Sequence, residues 1–173
     1  MRLNDYHGSN MTAPQIHPDL TDELARQGTV EHIVETLRHL PSGWIVGFQA
    51  PGFRPLSASS GPIGPNGEWN FYVRYWVWGY GDLTSDDVFE TFVNLWSGLG
   101  WIDSVGSDNS QKKSARGHTP DGYHFDVRRG VHGGVSMGWT SPFFPSLGSA
   151  YGGVMPSIIT KDGPQSYDQP QRD

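Results

Sequence analysis

Between Trp69 and Tyr80 the side chains alternate by chemical character, with Trp69, Phe71, Val73, Tyr75 and Val77 on one side and Asn70, Tyr72, Arg74, Trp76, Trp78 and Tyr80 on the other. A period of two belongs to a strand, whose successive side chains point to opposite faces. The stretch after Asp121-Gly122 obeys the same rule: Tyr123, Phe125 and Val127 oppose His124, Asp126 and Arg128. Shorter strands are predicted at residues 44–49, 101–105, 112–118 and 134–140. Val30, Ile33, Val34, Leu37 and Leu40 recur instead at helical spacing and form one apolar stripe. Thr21 and Thr29 can each cap a helix start and Gly28 interrupts between them, so this helix is predicted in two pieces, stopped by Pro41 and Gly43. A second helix opens at Thr84-Ser85-Asp86-Asp87, which has the form of a capping box with acids in its first turn. It turns Val88, Phe89, Phe92, Leu95, Trp96 and Leu99 inward and ends at Gly98 and Gly100.

These elements echo each other about 55 positions apart. Val34-Glu35-Thr36-Leu37 to Gly43-Trp44-Ile45 reappears as Phe89-Glu90-Thr91-Phe92 to Gly100-Trp101-Ile102. Likewise Pro65-Asn66-Gly67 to Phe71-Tyr72-Val73-Arg74 reappears as Pro120-Asp121-Gly122 to Phe125-Asp126-Val127-Arg128. One such unit cannot bury its apolar face alone. The expected fold is therefore α+β: a two-layer sandwich with an antiparallel sheet and two helices on one face, built from pseudo-duplicated α-β-β units.

Residues 1–18 are polar and aperiodic and read as a flexible arm, followed by a single domain over 19–160. Within it, the Pro- and Gly-rich stretch 142–160 carries Phe143, Phe144, Leu147, Tyr151, Met155 and Ile159, too apolar to leave in water, and reads as a C-terminal strap. Residues 161–173 read as a disordered tail.

Seven Trp, seven Tyr and eight Phe beside 23 Gly and 13 Pro call for an aromatic core and many turns. The net charge of -6, with 12 Lys and Arg scattered along the chain, offers no basic patch to act on a phosphate backbone, so nucleic acid is not expected as a partner. The absence of cysteine excludes disulfides, thiolate ligands and a Cys nucleophile. No run approaches the ~20 apolar residues of a transmembrane helix, and the N-terminus lacks a signal-peptide core, although a replaced leader would leave the same start, so localisation stays open.

Gly134-Val135-Ser136-Met137-Gly138 matches the G-x-S-x-G pattern of serine hydrolases, with His132 or His118 as candidate base. An elbow needs a helix after the serine and a histidine further along; no histidine follows His132, and Ser136 reads as a strand residue. His118, His124 and His132 cluster near Asp126 but match no standard metal spacing, so neither metal nor cofactor is expected. Glu68, Asp103, Asp121 and Asp126 form no defined acid/base pair, and Asn10-Met11-Thr12 fits a glycosylation sequon.

If the helices cover the Phe71/Val73 side, the other side displays Tyr72, Arg74, Trp76, Trp78 and Tyr80 beside His124 and Arg128. That much aromatic surface calls for a cover. Either the strap lies across it, or a partner protein or apolar small ligand docks there.

The helix ending near Gly100-Trp101, the Thr119-Pro120-Asp121-Gly122-Tyr123 turn and the run Gly138-Trp139-Thr140-Ser141-Pro142-Phe143-Phe144 together resemble small actinobacterial lipoproteins and related secreted proteins of unassigned function, over residues 30–144. Members carry a lipid-anchored N-terminal cysteine, and often one where Phe143 stands here; without either, the resemblance implies only the fold and a cell-envelope or secreted location, against a cytoplasmic alternative. It supplies no catalytic residue. The function expected from the sequence is a non-enzymatic binding or accessory module. The alternatives are a phage or immunity-type partner-binding protein and a serine hydrolase using Ser136.

Overall fold

Thr21, in extended conformation, accepts a hydrogen bond from the Leu24 amide and starts helix α1, Asp22–Arg38, with Asp22 and Glu23 at its positive end. The computed structural model describes residues 16–62, 66–107, 112–145 and 154–166. The expectations for residues 1–15, Asn10 included, and for Leu147 and Tyr151 lie outside them.

α1 is continuous, which corrects the predicted break at Gly28. A glycine costs a helix up to about 1 kcal/mol relative to alanine, but this one has a packing reason. An added Cβ would run into the Tyr123 ring, whose hydroxyl donates to the Ala25 carbonyl at 3.4 Å. Thr29 caps nothing; its hydroxyl donates back to Ala25 O at 2.8 Å.

After α1 come β1 (Ile45–Gly47), β2 (Ala58–Pro62) and β3 (Trp69–Trp78). Helix α2 (Ser85–Gly98) follows, with the expected capping box between Thr84 and Asp87, and Gly100 past its end at φ 74°. Then come β4 (Ile102–Ser107), β5 (Lys113–His118), β6 (His124–Arg129), β7 (Val135–Thr140), β8 (Ile158–Thr160) and β9 (Gly163–Ser166). The strands form one antiparallel sheet in the order β4-β5-β6-β7-β3-β1-β8-β9. β2 pairs with β3 beside β1, on the β3 edge away from β7.

Both helices pack on one face, and the fold is the expected α+β sandwich. Phe71, Val73 and Tyr75 of β3, Val127 of β6, and Met137 and Trp139 of β7 are fully buried there, as are Ile33 of α1 and Phe92 and Trp96 of α2. The centre is a ring cluster: Trp96 lies 4.2 Å from Phe125, and Phe125 lies 5.0 Å from Trp139. The strand pairing does not by itself establish the two halves as copies. In the second, β4, β5 and β6 form a meander; in the first, β1 and β2 both lie along β3.

The described part of the strap joins the sheet and core. Phe144 bridges Trp69, Met155 and Ile159 are buried, Pro156 O accepts from the Tyr75 hydroxyl at 2.7 Å, and β8 pairs with β1. β9 carries the sheet past residue 160, so the tail expected from 161 begins inside the domain. At the other end, within the expected arm, Ile16 bridges Phe143.

Candidate binding face of the sheet

The sheet face turned away from the helices is organised in rows across the strands. One row runs Tyr72, Thr140, His124, His118; the next runs Arg74, Gly138, Asp126, Arg116; the third runs Trp76, Ser136, Arg128, Ser114. Residues in register across neighbouring strands have Cβ atoms about 5 Å apart, so each row is a ready-made set of contacts.

The middle row holds the strongest interaction. Arg74 on β3 and Asp126 on β6 are separated by β7, yet Arg74 Nη2 donates to both carboxylate oxygens of Asp126 at 2.6 Å. Gly138 makes this possible, since a Cβ there would stand 2.5 Å from Asp126 Oδ1 and 2.6 Å from Arg74 Nη2. Arg74 also donates from Nε to the Tyr72 hydroxyl oxygen at 2.8 Å and from Nη1 to Ser136 Oγ at 2.9 Å. Burial works against the Arg74 charge, but the Asp126 carboxylate, with a smaller contribution from Tyr72, outweighs it and holds the guanidinium pKa above its ordinary value. Arg128 reaches the same carboxylate through Nε at 2.6 Å. Asp126 thus serves two arginines, and the group stays positive.

The G-x-S-x-G segment is explained by this packing. Gly134, Ser136 and Gly138 are alternate residues of one strand and its entry, facing the same way. A Cβ on Gly134 would meet Phe53 and Trp76, one on Gly138 would meet Arg74 and Asp126, and Ser136 is the acceptor between them. No strand-to-helix elbow is formed, and no imidazole bonds Ser136 among the described residues. His132 lies in the β6–β7 turn, beyond the strand register that pairs His118 with His124.

Of the residues expected on this face, Tyr72, Arg74, Trp76, His124 and Arg128 are there. Trp78 lies on the same side but over β1, its Nε1 3.3 Å from where a Cβ on Gly47, the register partner of Trp76, would sit. Tyr80 is not on the face, because Gly79 at φ 79° breaks the alternation and turns its ring edge-on to buried Trp44 at 6.1 Å. The broad exposed aromatic surface is also smaller than expected. The segment between β1 and β2 folds over Trp76: Phe53 packs on its ring at 4.6 Å, and Arg54 O accepts from its Nε1 at 2.7 Å. Phe53 and Arg116 were not expected as members of this surface. The strand alternation places Asp126 there, but its partner Arg74 follows only from β7 lying between β3 and β6.

Two histidine–aspartate pairs also form where no acid/base pair was expected. His118 Nδ1 is 2.7 Å from Asp103 Oδ2, both exposed, and the His118 and His124 rings are 5.9 Å apart. His32 Nε2 is 2.9 Å from Asp121 Oδ2, with its ring stacked 5.5 Å from that of Trp139 on the helical side. Burial would raise the Asp121 pKa, but hydrogen bonds from Thr119 and His32 outweigh it and hold the carboxyl below its ordinary range. Neither imidazole bonds a hydroxyl or other nucleophile among the described residues. No group of three metal-ligating side chains comes together among them, and no helix there is long and apolar enough to cross a membrane.

The cations scattered along the sequence are gathered by strand pairing, which corrects the premise that no basic patch exists. Lys112, Arg116 and Arg128 line one cleft of about 590 Å3 with Trp76, Ser114 and Ser136. Lys113 and Arg129 border it, but their side chains reach back to Asp86 of α2, at 3.2 Å and 3.3 Å. Comparison with protein-family models, curated proteins and solved structures finds no match to this chain.

Proposed function

We propose that the protein is a non-enzymatic binding module whose working surface is the sheet face opposite the helices. The observation that carries this reading is the Arg74–Asp126–Arg128 network. A largely buried ion pair is costly to desolvate and contributes weakly to stability compared with apolar packing, so placing one on the open side of a sheet that already has an aromatic core fits recognition better than folding. Gly134 and Gly138 give up side chains to make room for this arrangement. The charged centre shifts the expected ligand from an apolar one toward a polar partner held at its edges by Tyr72 and Trp76.

A hydrolase using Ser136 finds no support in the geometry, because its Oγ accepts from a guanidinium and has no base beside it among the described residues. A panel of ester substrates tests this directly. The wild-type protein and Ser136→Ala should be equally inert, whereas wild-type turnover abolished by the substitution would replace the binding reading with an enzymatic one.

A further inference from the structure

Resting on that reading of the open face, we infer that the 590 Å3 cleft between Trp76 and Arg116 is a site for a small-molecule oxyanion, a phosphate or carboxylate attached to a flat apolar group. The volume is that of a small-molecule pocket. Its residues include no aspartate or glutamate, in a chain whose net charge is -6. Three of its cations keep donors for a guest. Arg116 faces Asp126 across β5–β6 and Lys112 precedes β5, yet neither side chain makes an ion pair or hydrogen bond among the described residues. Arg128 gives only Nε to Asp126 and is 55% exposed.

Arg116 and Arg128 are diagonal neighbours on adjacent strands, separated by about 7 Å between backbones. Asp126 takes only the Nε of Arg128 and makes no ion pair with Arg116, so an anion between the two arginines would meet their remaining donors, and a planar guanidinium fits the paired oxygens of a phosphate or carboxylate. Along the same row as Arg128, Ser136 is small and Trp76 offers an indole fixed by Phe53 and by the Arg54 carbonyl. The row therefore presents charge at one end and a flat apolar wall at the other. Three such cations around one cleft suit a single anionic group better than the extended phosphate run of a nucleic acid, which releases one counterion per phosphate contacted.

Calorimetric titration of the full chain with phenyl phosphate, benzoate, inorganic phosphate, indole and a 12-mer single-stranded oligonucleotide tests this. Phenyl phosphate or benzoate should bind, more tightly than inorganic phosphate, and whichever binds identifies the source of the oxyanion. Arg116→Gln/Arg128→Gln should weaken that binding roughly tenfold or more, as expected for the loss of two charge-assisted hydrogen bonds. The double variant should keep the wild-type melting temperature, since both side chains are exposed. Arg116→Lys/Arg128→Lys, which keeps the charge and loses the planar fork, should recover part of the affinity and serves as the test if the glutamine variant unfolds. Absence of binding by either aromatic oxyanion, or binding indifferent to both double variants, overturns the inference. So does an oligonucleotide that binds more tightly than phenyl phosphate with a steep salt dependence. Binding of indole at Trp76 without any oxyanion effect removes the inference and leaves the binding-module reading intact; no binding of any probe at this face removes both.

Discussion

Gly28 shows how one side chain on another element can overrule local propensity. In the sequence it reads as a break, since glycine is a poor helix former and Thr29 a good cap. In the fold it is the place where α1 lets Tyr123 approach, and no local pattern reveals a partner 95 positions away. The expected consequence has an unusual sign. Gly28→Ala should destabilise by about 1–3 kcal/mol through overpacking against a 5% exposed tyrosine. Gly98→Ala, with nothing within 4 Å of its added methyl, should be neutral or stabilise by up to about 1 kcal/mol. Urea unfolding of the pair measures both, and stabilisation by the Gly28 substitution would contradict the packing argument. Gly134 and Gly138 teach the same lesson. As letters they complete a hydrolase motif; as positions they are gaps that neighbouring strands fill.

At the scale of elements, the long strand and both helices were legible because each carries its own period, and the capping box of α2 is local by construction. β2, β8 and β9 were not, since a three- to five-residue strand has too few alternations to register, and β2 and β9 are also rich in Ser, Gly or Pro. The strap was recognised as apolar, but its destination was not, because pairing with β1 depends on which edge is vacant. Which side chains share the open face could be read from alternation in β3 and β6. Their partners could not, because β7 inserts between those strands and only strand order shows it. The contact between α1 and the β5–β6 connection also carries a pH signature. Burial, with smaller contributions from Asp121 and Glu31, pushes the Tyr123 hydroxyl up to about 12 from an ordinary value of 10.0. A folded pKa above the unfolded one means that this stabilisation is complete below pH ~10 and fades as pH rises toward ~12. Tyr123→Phe should therefore flatten that part of the alkaline unfolding profile. An unchanged slope would place the hydroxyl in water rather than against α1.

For the molecule as a whole, the two faces of one sheet divide the labour. The helical side gathers the rings of Phe92, Trp96, Phe125 and Trp139 and supplies the cohesion, while the other side carries the charged and polar rows, exposed at Arg116, His118, His124 and Arg128 and largely buried at Arg74, Asp126 and Ser136. On this reading, the second side is where the protein meets its ligand. The most direct measurement is a nitrogen-15 NMR titration with phenyl phosphate and with indole, following the indole N–H of Trp76 and the side-chain N–H groups of Arg74 and Arg128 against those of Trp96 and Trp139 behind the sheet. The Trp76 and arginine signals should move together and saturate at one ligand concentration while the two core indoles stay fixed. Shifts confined to the helical side, around His32 and Asp121, with Trp76 and the arginines unmoved, would contradict it.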